Sequence, residues 1–237
     1  MRIVSPGLTL AALAALSSPV AAQCDYEAPR EARVEASGLR SIVIDAEAGE
    51  LRVVGRRGSA DVEVRGTACA SSRRRLEEIQ VRVTRSGDVA RIETEVPRGG
   101  WSLFGGSDRL DLEIDVPDSV PIEITDGSGP VEVRGVAALQ LEDGSGSIRV
   151  EDVSGDVSVR DGSGGIELER IAGDVRISDG SGGIDVFDVS GSVTIEADGS
   201  GGIEVRRIRG DFLVERDGSG GVRHRDVEGR VQIPQRR

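Results

Sequence analysis

Six aspartates at near-constant spacing are the residues of this sequence best suited to chemistry. Each begins an Asp-Gly-Ser-Gly motif, and consecutive motifs lie 17 to 19 residues apart. The six are Asp126, Asp143, Asp161, Asp179, Asp198 and Asp217. Stacked carboxylates would repel one another, and Ca²⁺ bridging them would offset that repulsion. Calcium repeats place Asp after the glycines, whereas here Asp comes first, so we favour turn formation. We therefore predict no metal or cofactor, with calcium as the alternative.

A second set of acids is predicted to face outward in three successive repeats. Glu167, Asp185 and Glu204 occupy equivalent positions. Polysaccharide-cleaving enzymes with parallel β-helices use paired carboxylates in a cleft, usually beside aromatic side chains that bind sugar rings. Aromatic residues are only 2% of this chain, and no connection between repeats is long enough to wall a cleft. We predict no catalytic residue, because columns of acids on a repeat face are usually solvated.

Aromatic side chains are the candidates for contacting a partner. Residues 99–106 read Gly-Gly-Trp-Ser-Leu-Phe-Gly-Gly, so Trp101 and Phe104 lie between glycines. Such a segment either anchors a partner or plugs the open end of a repeat core, and the sequence leaves both open. Phe187 and Leu213 are predicted to point outward from strands and are two further partner-binding candidates.

The elements that position these residues follow from the repeat itself. In residues 161–178 five aliphatic residues fall on one side of alternating strands: Ile166, Leu168, Ile171, Val175 and Ile177. The same five positions are aliphatic or aromatic in the next two repeats, and glycines mark two bends per repeat. The pattern predicts an all-β fold, a parallel β-helix or solenoid of about six 18-residue coils.

Residues 23–118 lack the repeat but alternate apolar and polar residues in short runs. The runs that we expect to form strands are Ser41 to Asp45, Glu50 to Val54, Ala60 to Val64, Ile79 to Val83, Ala90 to Val96 and Leu110 to Val116. The arginines before Leu76 predict one helical turn. We expect this N-terminal β region to continue into or cap the solenoid. Residues 119–237 would form the repeat solenoid, with His224 in a C-terminal cap.

The first 22 residues predict the compartment. An apolar stretch ends in the small residues Val20, Ala21 and Ala22, which is typical of a cleaved secretory signal peptide. Export favours a disulfide between the two cysteines, Cys24 and Cys69. The net charge of −12 opposes binding to nucleic acid, and no later segment is apolar enough to span a bilayer. We expect the protein in the periplasm, outside the cell or on its surface.

The start of the repeat region resembles a known family. The run Val116-Pro117-Asp118-Ser119-Val120-Pro121, followed by repeated Gly-Ser-Gly-Gly-Ile units, is similar to bacterial envelope proteins called "putative adhesins", a family of unknown function with β-helical repeats. The resemblance covers about residues 40–233. It implies an exported parallel β-helix and an adhesive or scaffolding role, and it carries no catalytic residues.

Three functions remain open at this level. We favour a non-enzymatic, adhesin-like or scaffolding protein that binds a protein or polysaccharide of the envelope or extracellular surface through its repeat face. The alternative is a periplasmic module that senses or supports the envelope through the segment with Trp101 and Phe104. A polysaccharide-acting enzyme is the third.

Overall fold

Strands account for almost all regular structure in the computed structural model, which describes residues 24–97 and 108–234. The N-terminal elements are β1 (Tyr26–Glu35), β2 (Ser41–Ala48), β3 (Leu51–Arg56), β4 (Asp61–Ala70), α1 (Arg73–Glu78), β5 (Gln80–Ser86), β6 (Val89–Glu95) and β7 (Arg109–Pro117). Each predicted run forms a strand, and the arginine run forms the predicted helical turn α1. Strand β1 was not predicted, because Pro29 and alternating charges obscure its pattern.

The repeats supply two strands per coil. They are β8 (Ile122–Ser128), β9 (Val131–Arg134), β10 (Leu139–Asp143), β11 (Ile148–Val153), β12 (Val157–Asp161), β13 (Ile166–Ile171), β14 (Val175–Asp179), β15 (Ile184–Val189), β16 (Val193–Ser200), β17 (Ile203–Ile208), β18 (Phe212–Val214), β19 (Asp217–Ser219), β20 (Val222–Val227) and β21 (Val231–Gln232). Successive coils pair in parallel and in register, as Ile148 with Ile166 and then Ile166 with Ile184 show. The predicted β-solenoid is confirmed.

Two sheets form the walls of the solenoid. The first sheet has the order β1-β4-β7-β3-β9-β11-β13-β15-β17-β20, and the second has the order β21-β18-β16-β14-β12-β10-β8-β2-β6-β5, with β19 pairing with β16. The coil made by β2 and β3 therefore lies between the β6–β7 pair and the β8–β9 pair, out of chain order. At the far N-terminal side, β4 pairs antiparallel with β1 and β7.

The interior is a set of aliphatic columns. Ile166, Leu168, Ile171, Val175 and Ile177 are each at most 1% exposed, and their equivalents in the next two coils are buried in the same way. This confirms the predicted five columns. A coil cannot cover both of its own faces, so each one depends on its neighbours for burial and for hydrogen bonds.

Glycines allow the coils to turn at the corner that follows each second-sheet strand. The last glycine of the motif has positive φ, +147° at Gly164 and +151° at Gly182. A Cβ added at Gly182 would lie 1.4 Å from the carbonyl oxygen of Gly164 in the coil before it. Only glycine fits this stack, because the position demands both an unusual φ and direct backbone contact.

The opposite corner is held by side-chain acceptors. The carboxylate of Asp156 accepts from the amide of Asp174 at 2.8 Å, and Asp174 in turn accepts from the amide of Ser192 at 2.8 Å. In the following coils the amide of Asp211 donates to the Ser192 hydroxyl, and the amide of Arg230 donates to the carboxylate of Asp211. Each coil thus ties its corner to the next coil.

The two ends of the solenoid differ. At the N-terminal side the predicted disulfide joins Cys24 to Cys69, with a Cα–Cα distance of 5.5 Å. Arg30 of β1 also donates to the carbonyl oxygens of Ile79 at 2.8 Å and Leu76 at 2.6 Å. At the C-terminal side the core positions become exposed: His224 pairs with buried Val205, yet it is exposed itself.

Candidate binding surface

The outward face of the first sheet carries the predicted acidic column. We call the outward side chains of β11, β13, β15, β17 and β20 the repeat face. Glu167 pairs with Asp185 and Asp185 pairs with Glu204, so register brings the three predicted acids together. Burial, followed by repulsion from Glu204, raises the pKa of Asp185. The column lies on the outward face of neighbouring strands of the first sheet.

Ion pairs between coils organise the repeat face. Arg149 contacts Glu151 at 2.7 Å and Glu167 at 3.0 Å, while Arg170 reaches back to Glu151 at 2.9 Å. Hydrogen bonding to Arg149 lowers the pKa of Glu151. Because the side chains of Arg149 and Arg170 are 49% and 40% exposed, each pair contributes little stability alone. Together they hold the charged groups in fixed columns.

A line of charged residues with positive φ borders the repeat face. They are Asp152, Arg170, Asp188, Arg207 and Asp226, with φ between 55° and 59°. Their charges alternate in sign from coil to coil, and Arg170 and Arg207 each bond to the aspartate of the preceding coil, at 2.5 Å and 2.7 Å. Hydrogen bonding to these arginines lowers the pKa of Asp152 and of Asp188. A signal for this line is present in the spacing of the inward positions, which are two residues apart and then three, as at Ile166, Leu168 and Ile171.

The candidate aromatic and aliphatic contacts are separated. Phe187 lies on the repeat face between Glu169 and Arg206, and the Arg206 guanidinium stacks 5.0 Å from its ring centroid. Leu213 belongs to β18 in the second sheet, so it does not share a surface with Phe187. Trp101 and Phe104 lie outside the described residues.

A model of one protein family matches residues 39–223, which is most of the chain. The chain belongs to the Toastrack DUF4097 family. This confirms the resemblance noted in the sequence. A search of curated proteins found no match.

Solved structures similar to this Toastrack chain are distant in sequence. A "putative cell adhesion protein" from Clostridium sporogenes is 14% identical, with 84% of this chain and 99% of that chain covered and a TM-score of 0.42. A "putative lipid binding protein" from Parabacteroides distasonis is 16% identical, covering 87% and 97%, with a TM-score of 0.44. A "putative adhesin" from Bacteroides fragilis is 11% identical, covering 88% and 97%, with a TM-score of 0.36.

The first five motif aspartates of this Toastrack chain point into the solenoid, whereas Asp217 in the last coil is half-buried. Asp126, Asp143, Asp161, Asp179 and Asp198 are 3 to 7% exposed. The signal for this was present in the sequence, because Asp161 lies two residues after inward Val159 and therefore has the same orientation. Two of them also make the expected turn contact: Asp143 accepts from the amide of Ser145 at 3.3 Å, and Asp161 accepts from that of Ser163 at 3.2 Å.

Among residues 24–97 and 108–234, no three His, Cys, Asp or Glu side chains are grouped as a metal ion requires. No helix in those ranges has the length and apolar character to cross a bilayer.

Proposed function

We propose that this protein is a non-enzymatic, exported β-solenoid that binds a protein or polysaccharide of the envelope or the extracellular surface through its repeat face. The observation that carries the proposal is the register of the coils. Equivalent outward positions stack from strand to strand at a spacing of about 4.8 Å, which presents charged side chains at regular intervals to one long ligand. Repeated weak contacts of this kind gain affinity through multivalency.

The shape of the repeat face favours binding over catalysis. The connections that flank β14 are Ala172–Asp174 and Gly180–Gly183, only three and four residues long, so neither can build a wall over the acids. Glu167, Asp185 and Glu204 lie side by side on one surface, whereas glycoside cleavage places two carboxyl groups on either side of the scissile bond. The disulfide supports export, since such bonds persist in oxidising compartments.

Immobilised polymers and two charge-reversal variants test the proposal. The chain without its first 22 residues is applied to purified envelope and extracellular polysaccharides and to envelope protein fractions. R149E/R206E changes the repeat face, and R160E/R176E changes the outward face of the second sheet as a matched control. We expect R149E/R206E to weaken binding about tenfold or more, and the control to bind like the wild type.

Three results would contradict the proposal. Equal losses in both variants would remove the repeat face as the binding surface. Loss of binding in W101S/F104S with unchanged melting, and none in R149E/R206E, would favour the envelope-sensing alternative. New reducing ends in the polysaccharide would favour an enzyme.

A further inference from the structure

A continuous column of carboxyl groups runs inside the solenoid, next to the glycine corner. We call Asp126, Asp143, Asp161, Asp179 and Asp198 the aspartate column. Strand pairing places each residue directly beside the next. Among residues 24–97 and 108–234, Thr94 and these five are the only polar or charged residues that are buried as whole residues. No arginine of these described residues is buried beside them.

The column has fewer hydrogen-bond donors than carboxylate oxygens. Amides of the following serines reach one oxygen each of Asp143 and Asp161. The Oδ2 atoms of Asp126, Asp143 and Asp161 are buried, and no donor in the described part of the chain reaches them. Five ionised carboxylates would therefore repel one another in a medium of low polarity, with several oxygens unsatisfied.

Protons supply the missing donors. With a proton on Asp126, its carboxyl O–H donates to the carboxylate of Asp143, and a proton on Asp179 does the same toward Asp161. Each shared proton neutralises one carboxylate and provides a hydrogen-bond donor for one carboxylate oxygen that otherwise has none. We propose that the aspartate column retains protons in mildly acidic solution, where exposed aspartates are ionised, and that the solenoid loses stability when rising pH removes them.

The surroundings of these groups agree with that assignment. Burial, followed by repulsion from Asp143, raises the pKa of Asp126 to about 7. Burial, followed by repulsion from Asp161 and Asp198, raises the pKa of Asp179 to about 6. Burial also raises the pKa of Asp143 and of Asp161. Within each pair the carboxyls titrate together, because the charge of one decides the cost of ionising the other.

Most of the other charged groups near the aspartate column lie at its Asp126 end. The first-sheet strands facing the column contribute aliphatic side chains to the interior, and Ala46 of β2 pairs with Asp126. A cleft of 640 Å³ adjoins Asp126. Its other charged residues are Asp45, Glu47, Arg82, Glu93, Glu95 and Asp108. At the other end Asp217 pairs with Asp198, and Arg216 donates to the carbonyl oxygen of Glu196.

The sign of the effect follows from comparison with the unfolded chain. An aspartate in an unfolded chain has a pKa of about 3.9. Because folding raises the pKa of Asp126 and Asp179, their contribution to stability is complete below about pH 4 and is lost as the pH rises through 6 to 7. Each proton lost passes to water or hydroxide and leaves two adjacent carboxylates inside the solenoid.

Thermal unfolding at pH 5 and at pH 8, with EDTA and at constant ionic strength, tests the proposal. We expect the wild-type Tm to be higher at pH 5 by about 5 °C or more. D126N/D179N replaces the two proton-bearing carboxyls by amides, which donate a hydrogen bond and do not ionise, so at least half of that difference should vanish. E123Q/E142Q removes two outward carboxylates from β8 and β10 and should keep the wild-type difference.

A second measurement does not require D126N/D179N and therefore does not depend on whether that variant folds. Calorimetric unfolding at pH 5 in two buffers of different ionisation enthalpy counts protons, and we expect release of about two per molecule from the column. Histidine also changes charge between pH 5 and 8, so both measurements are repeated in H224Q.

The proposal fails if Tm is equal or higher at pH 8, if D126N/D179N retains the full difference, or if unfolding at pH 5 releases no protons. It also fails if Ca²⁺ at pH 8 restores the Tm of pH 5, since the column would then hold a cation in place of protons.

Discussion

Gly182 packs against the carbonyl oxygen of Gly164 so closely that a methyl group on Gly182 would lie 1.4 Å from that oxygen. The next residue, Gly183, has nothing within 4 Å of its own added Cβ. Two adjacent glycines thus have opposite tolerance for a side chain, and the difference comes from the stacking of one coil on another.

Substitution of these two glycines by alanine should have very different effects. We expect Gly182→Ala to lower the free energy of unfolding by about 3 kcal/mol or more, because the backbone must move and the φ of +151° strains alanine. Gly183→Ala should change it by less than about 1 kcal/mol. Urea unfolding of both variants checks this, and similar losses would contradict the stacked-glycine corner.

Removal of one corner acceptor should loosen the opposite edge. Asp174→Ala leaves the amide of Ser192 without its 2.8 Å partner, and we expect a loss of about 1 to 2 kcal/mol. Asp185→Ala is the matched control, since Asp185 is an outward acid beside Glu204 and its removal relieves repulsion. Thermal melts should rank Asp185→Ala at or above the wild type. The reverse order would count against the corner ladder.

Reduction of the disulfide should destabilise the N-terminal end. The bond closes a separation of 45 residues between Cys24 and Cys69, and its loss should cost about 2 to 5 kcal/mol. Unfolding of the wild type with and without a reducing agent measures this cost. C24S/C69S should match the reduced protein and show no response to the agent.

Stability should also fall at strongly acidic pH, for a reason independent of the aspartate column. Hydrogen bonding to arginine lowers the pKa of Glu151, Asp152 and Asp188, so the stability they contribute is present above their unfolded values and is lost as the pH falls below about 4. Combined with the opposite trend of the column, this predicts maximal Tm near pH 4 to 5. A pH series of melts checks it. A maximum at pH 7 or above would show that the ion pairs outweigh the column.

The repeat region could be predicted closely because its information is local. Alternation of side chains identified the five inward columns, such as Ile166 and Leu168, and glycine spacing identified the corners. The same alternation places Asp161 inside, two residues after inward Val159. We missed this because we interpreted the motif mainly as a turn. Between Leu168 and Ile171 one residue must have positive φ to keep both side chains inward. The sequence does not distinguish Glu169 from Arg170 for this role, and the structure places it at Arg170.

The sequence by itself determined the coil, the columns, the helical turn and the pairing of Cys24 with Cys69, because each depends on short-range periodicity or on there being a single possible partner. Only the tertiary structure decided that the β2–β3 coil lies beside β8 and β9, that β1 pairs antiparallel with β4, and that the buried aspartates lie side by side. These outcomes depend on which strand edge is free and on how much polar surface neighbouring coils exclude from water. Such competition involves residues far apart in the chain, and no local pattern records it.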